Sequence, residues 1–468
     1  MRIESDSLGQ MELPDGTYYG IQTQRAALNF AVSGIKCSEY TGLITSIAGI
    51  KKAAALANCE IGVLAKPLAS AICSVCDEII GGALHDEFCI DVFQGGGWTS
   101  ANMNANEVIA NRASELLTGR IGYHAVHPND HVNLGQSTND VIPSAMKIGF
   151  YLAFGQLLFE VERLSVALRK KQEEFKEVIK IGRTCLQDAV PLTLGQEFGG
   201  YASLIERQFL KLTHARKECL SLPLGGTAVG TGLCAYDGYH ERVFVHIREI
   251  FKADFVQDTD LFDGMQNADV FVSISVALKS LAVSVSKIAS DFRLLSSGPN
   301  AGLGEITLPA LQPGSSIMPG KINPVLPELI NQIAYQVCGN DVAVTMAAES
   351  GELDLNVWES VFIKNIFESI KLLTNGLSHF TGKCVTGIQA NKDVCRKYAE
   401  SGVALATVVG SLVGYQAGAE SAFEAASKAD LLDETGKQLS IKLLDLTDKD
   451  KSGKLLMKIR RGTKSDNE

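Results

Sequence analysis

Four stretches of the chain carry apolar residues at three- and four-residue spacing over far more than an average helix length, and they predict an all-α protein built on long helices. They are 141–178, 189–221, 264–298 and 325–383. Prolines punctuate the first two thirds of the chain and none follows Pro327, so the later helices can run without the break a proline imposes. In VFVSISVALKSLAVSVSKIASDFRLL, residues 270–295, apolar positions extend around most of the circumference, which describes a helix buried on several sides. A chain of 468 residues rarely surrounds so many long helices alone. A homo-oligomer built on a helical bundle is therefore expected.

Between the helices lie turn-rich stretches, 85–103, 121–140, 182–190, 223–237 and 300–324, and function is expected there. The composition, 46% hydrophobic and 21% charged, is that of an ordinary soluble globular protein. The start, MRIESDSLGQMELPDG, is too acidic and polar for a signal or transit peptide. No uncharged apolar run of membrane-spanning length is found, so no membrane partner and a cytoplasmic location are expected. A net charge of −10 argues against a nucleic-acid partner, and only the terminal KIRRGTK is basic. Eleven cysteines, an odd and scattered set, suit reduced thiols. Cys73 and Cys76 sit at helical spacing with no second pair to complete a zinc site. His124, His127 and His131 flank a Pro-Asn-Asp turn without a carboxylate or cysteine cluster, so no metal is expected. Gly225-Gly226-Thr-Ala-Val-Gly-Thr-Gly232 lacks the GK[ST] ending of a phosphate loop.

Three loops carry chemistry. Gly95-Gly-Gly-Trp-Thr-Ser places Thr99 and Ser100 at a glycine-rich bend before a helix, and Gln136-Ser-Thr-Asn-Asp140 places Ser137, Thr138 and Asn139 before another. Hydroxyls and amides at helix starts bind anions together with free backbone N–H groups and the helix dipole, although each taken singly could be only an N-cap. The third, Gly314-Ser-Ser-Ile-Met-Pro-Gly-Lys-Ile-Asn-Pro324, is a loop that can close a serine oxygen and several donors over a small anion, with Lys321 and Asn323 close behind Ser315 and Ser316.

Those eleven residues resemble the signature of the aspartase/fumarase superfamily, which eliminates a leaving group from a succinyl-type substrate and releases fumarate. The N-terminal RIESDSLGQMELPDGTYYGIQTQRA, NMNANEVIANRA, the STND after Gln136, GGTAVGTG and LPALQPGSSIMPGKINPV resemble its aspartate ammonia-lyase branch most, with fumarases next. The resemblance runs from residue 1 to about residue 400. It implies a three-domain fold, 1–140, 141–388 and 389–468, whose central long helices form a tetramer core of about twenty helices. It implies a homotetramer with sites shared between chains, a small dicarboxylate substrate and no cofactor. Ser315 would remove the Cβ proton; a serine is a weak base at its free pKa and needs activation. Thr99, Ser137, Thr138 and Ser316 would hold the carboxylate that becomes the aci-acid. Thr184, Lys321 and Asn323 would hold the other, and Asn139 would face the leaving group.

The chain departs from the branch at three places. It reads Gly182-Arg-Thr-Cys185-Leu-Gln-Asp-Ala189 where relatives carry histidine in place of Cys185. Trp98 stands where a small residue is usual, and Gly410-Ser411 replace an Asn-Pro ahead of Gly414-Tyr415. A thiol is a weak donor beside an ammonium or hydroxyl leaving group, whereas Trp98 and Cys185 could touch a softer or larger one. The expectation is thus a fumarate-releasing lyase whose leaving group is not ammonia, such as the thiol of an S-succinylated cysteine or a substituted amine. The alternatives are an ordinary aspartate ammonia-lyase, a fumarase, and a catalytically silent homologue of the kind some lens crystallins represent.

Overall fold

A computed structural model describes residues 1–401, 443–454 and 456–457. Gly410-Ser411, Gly414-Tyr415 and most of the expected C-terminal domain lie outside the described residues. The chain opens on an antiparallel hairpin, β1 (Arg2–Asp6) with β2 (Gly9–Leu13), followed by helices α1 (Ile21–Asn29), α2 (Thr41–Glu60), α3 (Lys66–Ile80) and α4 (Thr99–Thr118). Helix α5 (Thr138–Glu174) leads into a second hairpin, β3 (Ile179–Thr184) with β4 (Gln187–Thr193), and then α6 (Leu194–Glu218). Short pieces β5 (Ser221–Leu222), α7 (Tyr239–Phe251), β6 (Val256–Gln257) and α8 (Leu261–Gln266) precede α9 (Asp269–Leu295). After β7 (Ile306–Thr307) come α10 (Val325–Glu349), α11 (Glu359–Lys383), β8 (Gln389–Ala390) and α12 (Lys392–Ser401). The protein is all-α in class, with two-stranded sheets only among the described residues.

Three of the expected stretches hold more than one element. The stretch 264–298 opens in α8 and is interrupted at Asn267 and Ala268 before α9 begins. The stretch 189–221 begins with β4, because Val190, Leu192 and the prolyl ring of Pro191 complete a hairpin whose ladder continues from Ile179 to Thr184. The stretch 325–383 is two helices. Its break falls at 350–358, where Leu353 adopts a left-handed φ of 52° and the Asn356 side chain donates to the Ala347 carbonyl, so a turn rather than a proline ends α10.

The residues fall into two compact units, the first comprising 1–159, 210–282 and 335–374, the second 160–209, 283–334 and 375–468. In the first, Phe150 of α5 lies 6.1 Å from Phe271 of α9 and 4.6 Å from Phe367 of α11, and Phe271 stacks on Phe362 at 4.9 Å. In the second, Phe198 of α6 and Phe380 of α11 both stack on Phe292 of α9, at 5.4 and 5.8 Å. Burial of each such ring contributes about 1.5–3 kcal/mol. Helices α5 and α9 are long and apolar enough to cross a membrane, and 67% and 50% of their most apolar windows are buried, as in core helices.

The asparagine-rich α4 is buried although polar, and its side chains staple loops. Glu107 accepts from the backbone of Gly20, Gln22 and Thr23, Asn111 donates to the Tyr18 carbonyl and Asn104 to that of Glu87. Such pairing offsets part of the cost of burying a polar helix face; among the described residues the Oδ1 atoms of Asn102, Asn104, Asn106 and Asn111 have no partner.

Candidate active site

The first unit holds Thr99, Ser100, Ser137, Thr138 and Asn139; the second holds Thr184, Cys185, Ser315, Ser316, Lys321 and Asn323.

Thr99 is the first residue of α4, and the turn before it is left-handed at three successive residues, Gly96, Gly97 and Trp98, with φ of 77°, 61° and 61°. For tryptophan this conformation costs about 1–2 kcal/mol. It is held because the indole is almost fully buried and donates to the Val92 carbonyl at 3.2 Å and to Ser360 Oγ at 3.1 Å. Trp98 therefore faces the core, and the expected apolar contact with a leaving group does not arise from it. Gln94 Oε1 caps the helix by accepting from Ala101 N at 2.9 Å. Thr99 Oγ1 donates to the Gly96 carbonyl at 2.7 Å, so the hydroxyl proton must turn outward to reach an anion. Among the described residues the Ser100 N–H has no partner, leaving a helix-start donor available.

The Ser137 loop is braced from below. Ser137 Oγ accepts from Asn139 N at 3.2 Å while Asp140 Oδ1 accepts from Ser137 N at 2.9 Å, the reciprocal pattern of a capping box. Asp140 Oδ2 accepts from Gly225 N at 2.9 Å and Thr227 N at 3.1 Å. The glycine-rich 225–232 segment is thus a platform tied to the start of α5. Its Gly225, at φ 95°, has no room for a side chain: a Cβ would meet His240 at 2.3 Å. Full burial pushes Asp140 up to about 6 despite three N–H donors and the Lys51 charge.

Beneath Thr138, three donors converge on one oxygen. Lys51 Nζ, Asn102 Nδ2 and Asn106 Nδ2 reach Asn133 Oδ1 at 2.9, 3.2 and 3.1 Å, and Asn102 Nδ2 also donates to Thr138 Oγ1 at 3.1 Å. With one lone pair occupied, the Thr138 hydroxyl still has its proton to donate. Burial pushes Lys51 down to about 7. Asn139 Nδ2 donates to the Ala228 carbonyl at 2.9 Å, which fixes the amide orientation and, among the described residues, leaves Oδ1 free to accept.

In the second unit, Thr184 and Gln187 pair at the end of the β3–β4 hairpin, and Cys185 and Leu186 form its two-residue tip with φ of 54° and 61°, the type I′ geometry. Cys185 is exposed. The hairpin is anchored by fully buried Glu305, which accepts from Arg183 at 3.0 Å and pairs with buried Lys180 at 2.9 Å. The Ser315 loop is open, with Ser316, Ile317 and Lys321 exposed. Ser315 Oγ accepts from the N–H groups of Ile317 at 3.2 Å and Met318 at 3.1 Å. Two amides aimed at one oxygen favour its ionised form, the activation a serine base requires. Asn323 Nδ2 donates to the Gly314 carbonyl and Gly314 N to the Lys321 carbonyl, at 2.8 and 2.7 Å. Any side chain at Gly314 would meet the Lys321 carbonyl at 2.6 Å.

Asp140, Lys51, Asn133, Asn102 and Ser360 were not singled out from the sequence. Asp140 alone carried a signal, the S-x-x-D spacing of a capping box. The rings of His127 and His131 accept backbone N–H groups within their own turn.

Residues 9–339 match the Lyase family. The chain is 47% identical over 426 residues to an aspartate ammonia-lyase of Helicobacter pylori, covering 91% of each protein, and 46% identical over 425 residues to one of Bacillus subtilis, covering 91% of this chain and 89% of that one. The structure of a fumarate lyase:delta crystallin from Brucella melitensis bound to cobalt superposes with a TM-score of 0.91 at 45% identity, covering 98% of this chain and 99% of that one. A class II fumarase from Schistosoma mansoni also superposes with a TM-score of 0.91, at 34% identity, covering 95% and 99%.

Proposed function

We infer that this chain, which belongs to the lyase family just described, is an aspartate ammonia-lyase that converts L-aspartate to fumarate and ammonia. The observation that carries the reading within the family is the set amide of Asn139. The Ala228 carbonyl holds one of its two Nδ2 protons and so fixes the amide, whose Oδ1 is an acceptor, and an acceptor suits an ammonium group, which has only protons to offer. A thiol or thioether sulfur would gain little from it. With Trp98 turned into the core, the case for an S-succinyl substrate rests on Cys185 alone, and the identity to aspartate ammonia-lyases supports the plainer alternative.

In this reading Ser315, its oxygen stabilised by the Ile317 and Met318 amides, takes the Cβ proton. The electron pair passes into the adjacent carboxylate, forming an aci-acid dianion held by Thr99, Ser137, Thr138 and Ser316. Collapse of that dianion forms the carbon–carbon double bond and expels the protonated amine as ammonia. Thr184, Lys321 and Asn323 hold the second carboxylate. The donors that meet charge developing in the transition state carry most of the acceleration, typically on the order of a hundredfold to a thousandfold each.

Assembly as a homotetramer, with each site drawing residues from several chains, belongs to the same proposal. Val276, Val283 and Leu294 of α9 are exposed at spacings near two and three helical turns, and so form one apolar stripe. Tyr335, Val342 and Met346 of α10, 69%, 58% and 65% exposed, form another. Such stripes on long helices are what a second copy would cover. A cytoplasmic location is part of the proposal too, supported by eleven scattered free cysteines, a set that suits a reducing compartment. Fumarate absorbance with L-aspartate, L-malate and S-(2-succinyl)cysteine tests the activity: aspartate is expected to lead in kcat/KM by about ten- to a hundredfold, and leadership by either other compound overturns it.

A further inference from the structure

We propose that Ser360 and Trp98 are positioning residues for the Thr99–Ser100 anion subsite, the hydroxyl of Ser360 pinning the 94–98 turn and thereby fixing the first turn of α4. The inference rests on the subsite role given above to Thr99. Ser360 is the second residue of α11, distant in sequence from the turn it touches. Its Oγ accepts from Gln94 N at 3.2 Å and Trp98 Nε1 at 3.1 Å, and donates to the Gln94 carbonyl at 3.1 Å. One hydroxyl thus uses its proton and both lone pairs on two residues of the same turn, which is its full bonding capacity.

These two residues control the start of α4. Gln94 caps it through Ala101 N, and Trp98 is the residue immediately before Thr99, in a conformation tryptophan adopts only under constraint. Ser360, Gln94 and Trp98 are all buried, whereas Gly95, Gly96 and Thr99 are exposed. The anchor is therefore internal and the binding groups stand on its outer side. Glu359, the first residue of α11, backs the same turn: its carboxylate would lie 3.5 Å from a Cβ on Gly97. Without the Ser360 hydroxyl, the indole N–H keeps only the Val92 carbonyl and the Gln94 amide loses its acceptor. The left-handed turn then has a route to relax, and Thr99 and Ser100 move with it.

The test compares Ser360→Ala, Ser360→Thr, Trp98→Phe and Thr99→Ala in the full-length protein, reading kcat/KM for L-aspartate, the inhibition constant of succinate, and Tm. Ser360→Ala is expected to lower kcat/KM and weaken succinate by about tenfold or more, since a displacement near 1 Å in a positioned group has effects of that order and above. Ser360→Thr, which keeps the hydroxyl, is expected to restore both to within about threefold, and Trp98→Phe, which removes only the N–H, to weaken succinate by about three- to tenfold. A purely structural role would lower Tm and leave both constants unchanged per folded protein, which overturns the proposal. Should Ser360→Ala fail to fold, Trp98→Phe decides on the same readouts. Weakened succinate binding in Thr99→Ala with none in Ser360→Ala or Trp98→Phe sinks the positioning role alone. Unchanged succinate binding in Thr99→Ala removes the subsite reading as well.

Discussion

The loop ahead of α5 and the loop ahead of α10 are proposed to serve the same reaction, yet they are built on opposite plans. Ser137, Thr138 and Asn139 stand on buried Asp140, which gathers three backbone N–H groups, and on an amide network ending at buried Lys51. Ser315 and Ser316 stand on a few local bonds within 314–323, with Ile317 84% exposed. Donors that meet developing charge act best when already in place, which fits the first plan. A base that must reach a proton on a bound substrate can be carried by a segment that closes afterwards, which fits the second.

Substitutions on the two sides should separate accordingly. Ser315→Ala is expected to lower kcat by about two to four powers of ten while Tm and oligomeric state stay as they were. A retained tenth of the rate would place the base elsewhere, and a large fall in Tm would show the open loop to be structural after all. Asp140→Ala should do the reverse in the braced loop. It leaves the amides of Ser137, Gly225 and Thr227 without their acceptor in a fully buried place, a loss of about 2–4 kcal/mol, visible as a Tm lower by several degrees. An unchanged melting curve would remove the distinction between the loops.

The pH dependence of stability sharpens the braced side. Glu359 is buried without a counter-charge among the described residues and is pushed from 4.5 up to about 7 by desolvation. Its folded-state pKa is raised, so its neutral form is the one the fold favours. The stability it contributes is complete below about 4.5, the unfolded value, and is lost as pH rises through about 7. Glu359→Gln, permanently neutral, should therefore gain on the parent protein between pH 5 and 8 by up to about 1–3 kcal/mol. A difference in Tm that is flat across that range would mean the carboxyl is not desolvated. The smallest expected effect lies at the hairpin tip. Cys185→His adds a donor and acceptor at an exposed position, and should raise kcat/KM for aspartate by up to about tenfold while leaving Tm alone. A gain for S-(2-succinyl)cysteine instead would revive the altered leaving group.

Much of the chemistry was legible in the chain because it is local. The Gly314–Pro324 string specifies a turn through its own glycines and proline, and Ser315 finds its amides two and three residues away. Ser137-Thr-Asn-Asp140 likewise contains its own helix start. The long helices announced themselves by spacing, although their ends did not. A three- to four-residue period continues across 350–358, where a turn intervenes, and the apolar residues of β4 read equally well as a helical face.

Trp98 marks the limit of that local reading. Its neighbours along the chain, glycines on one side and Thr99 on the other, suggest an indole beside a substrate. Only the tertiary structure turns it inward, because the acceptor that satisfies its N–H, Ser360, comes from a helix more than two hundred residues later. The same holds for Asp140 and for Lys51, whose partners lie 85 and 82 residues away. By itself the sequence determined the family of chemistry, the helical class and the loops that bear the reacting groups, since each is written in contiguous residues. What braces those loops, and which side chains face substrate rather than core, was decided by contacts between distant segments, where burial makes an unpaired polar group costly and so dictates its partner.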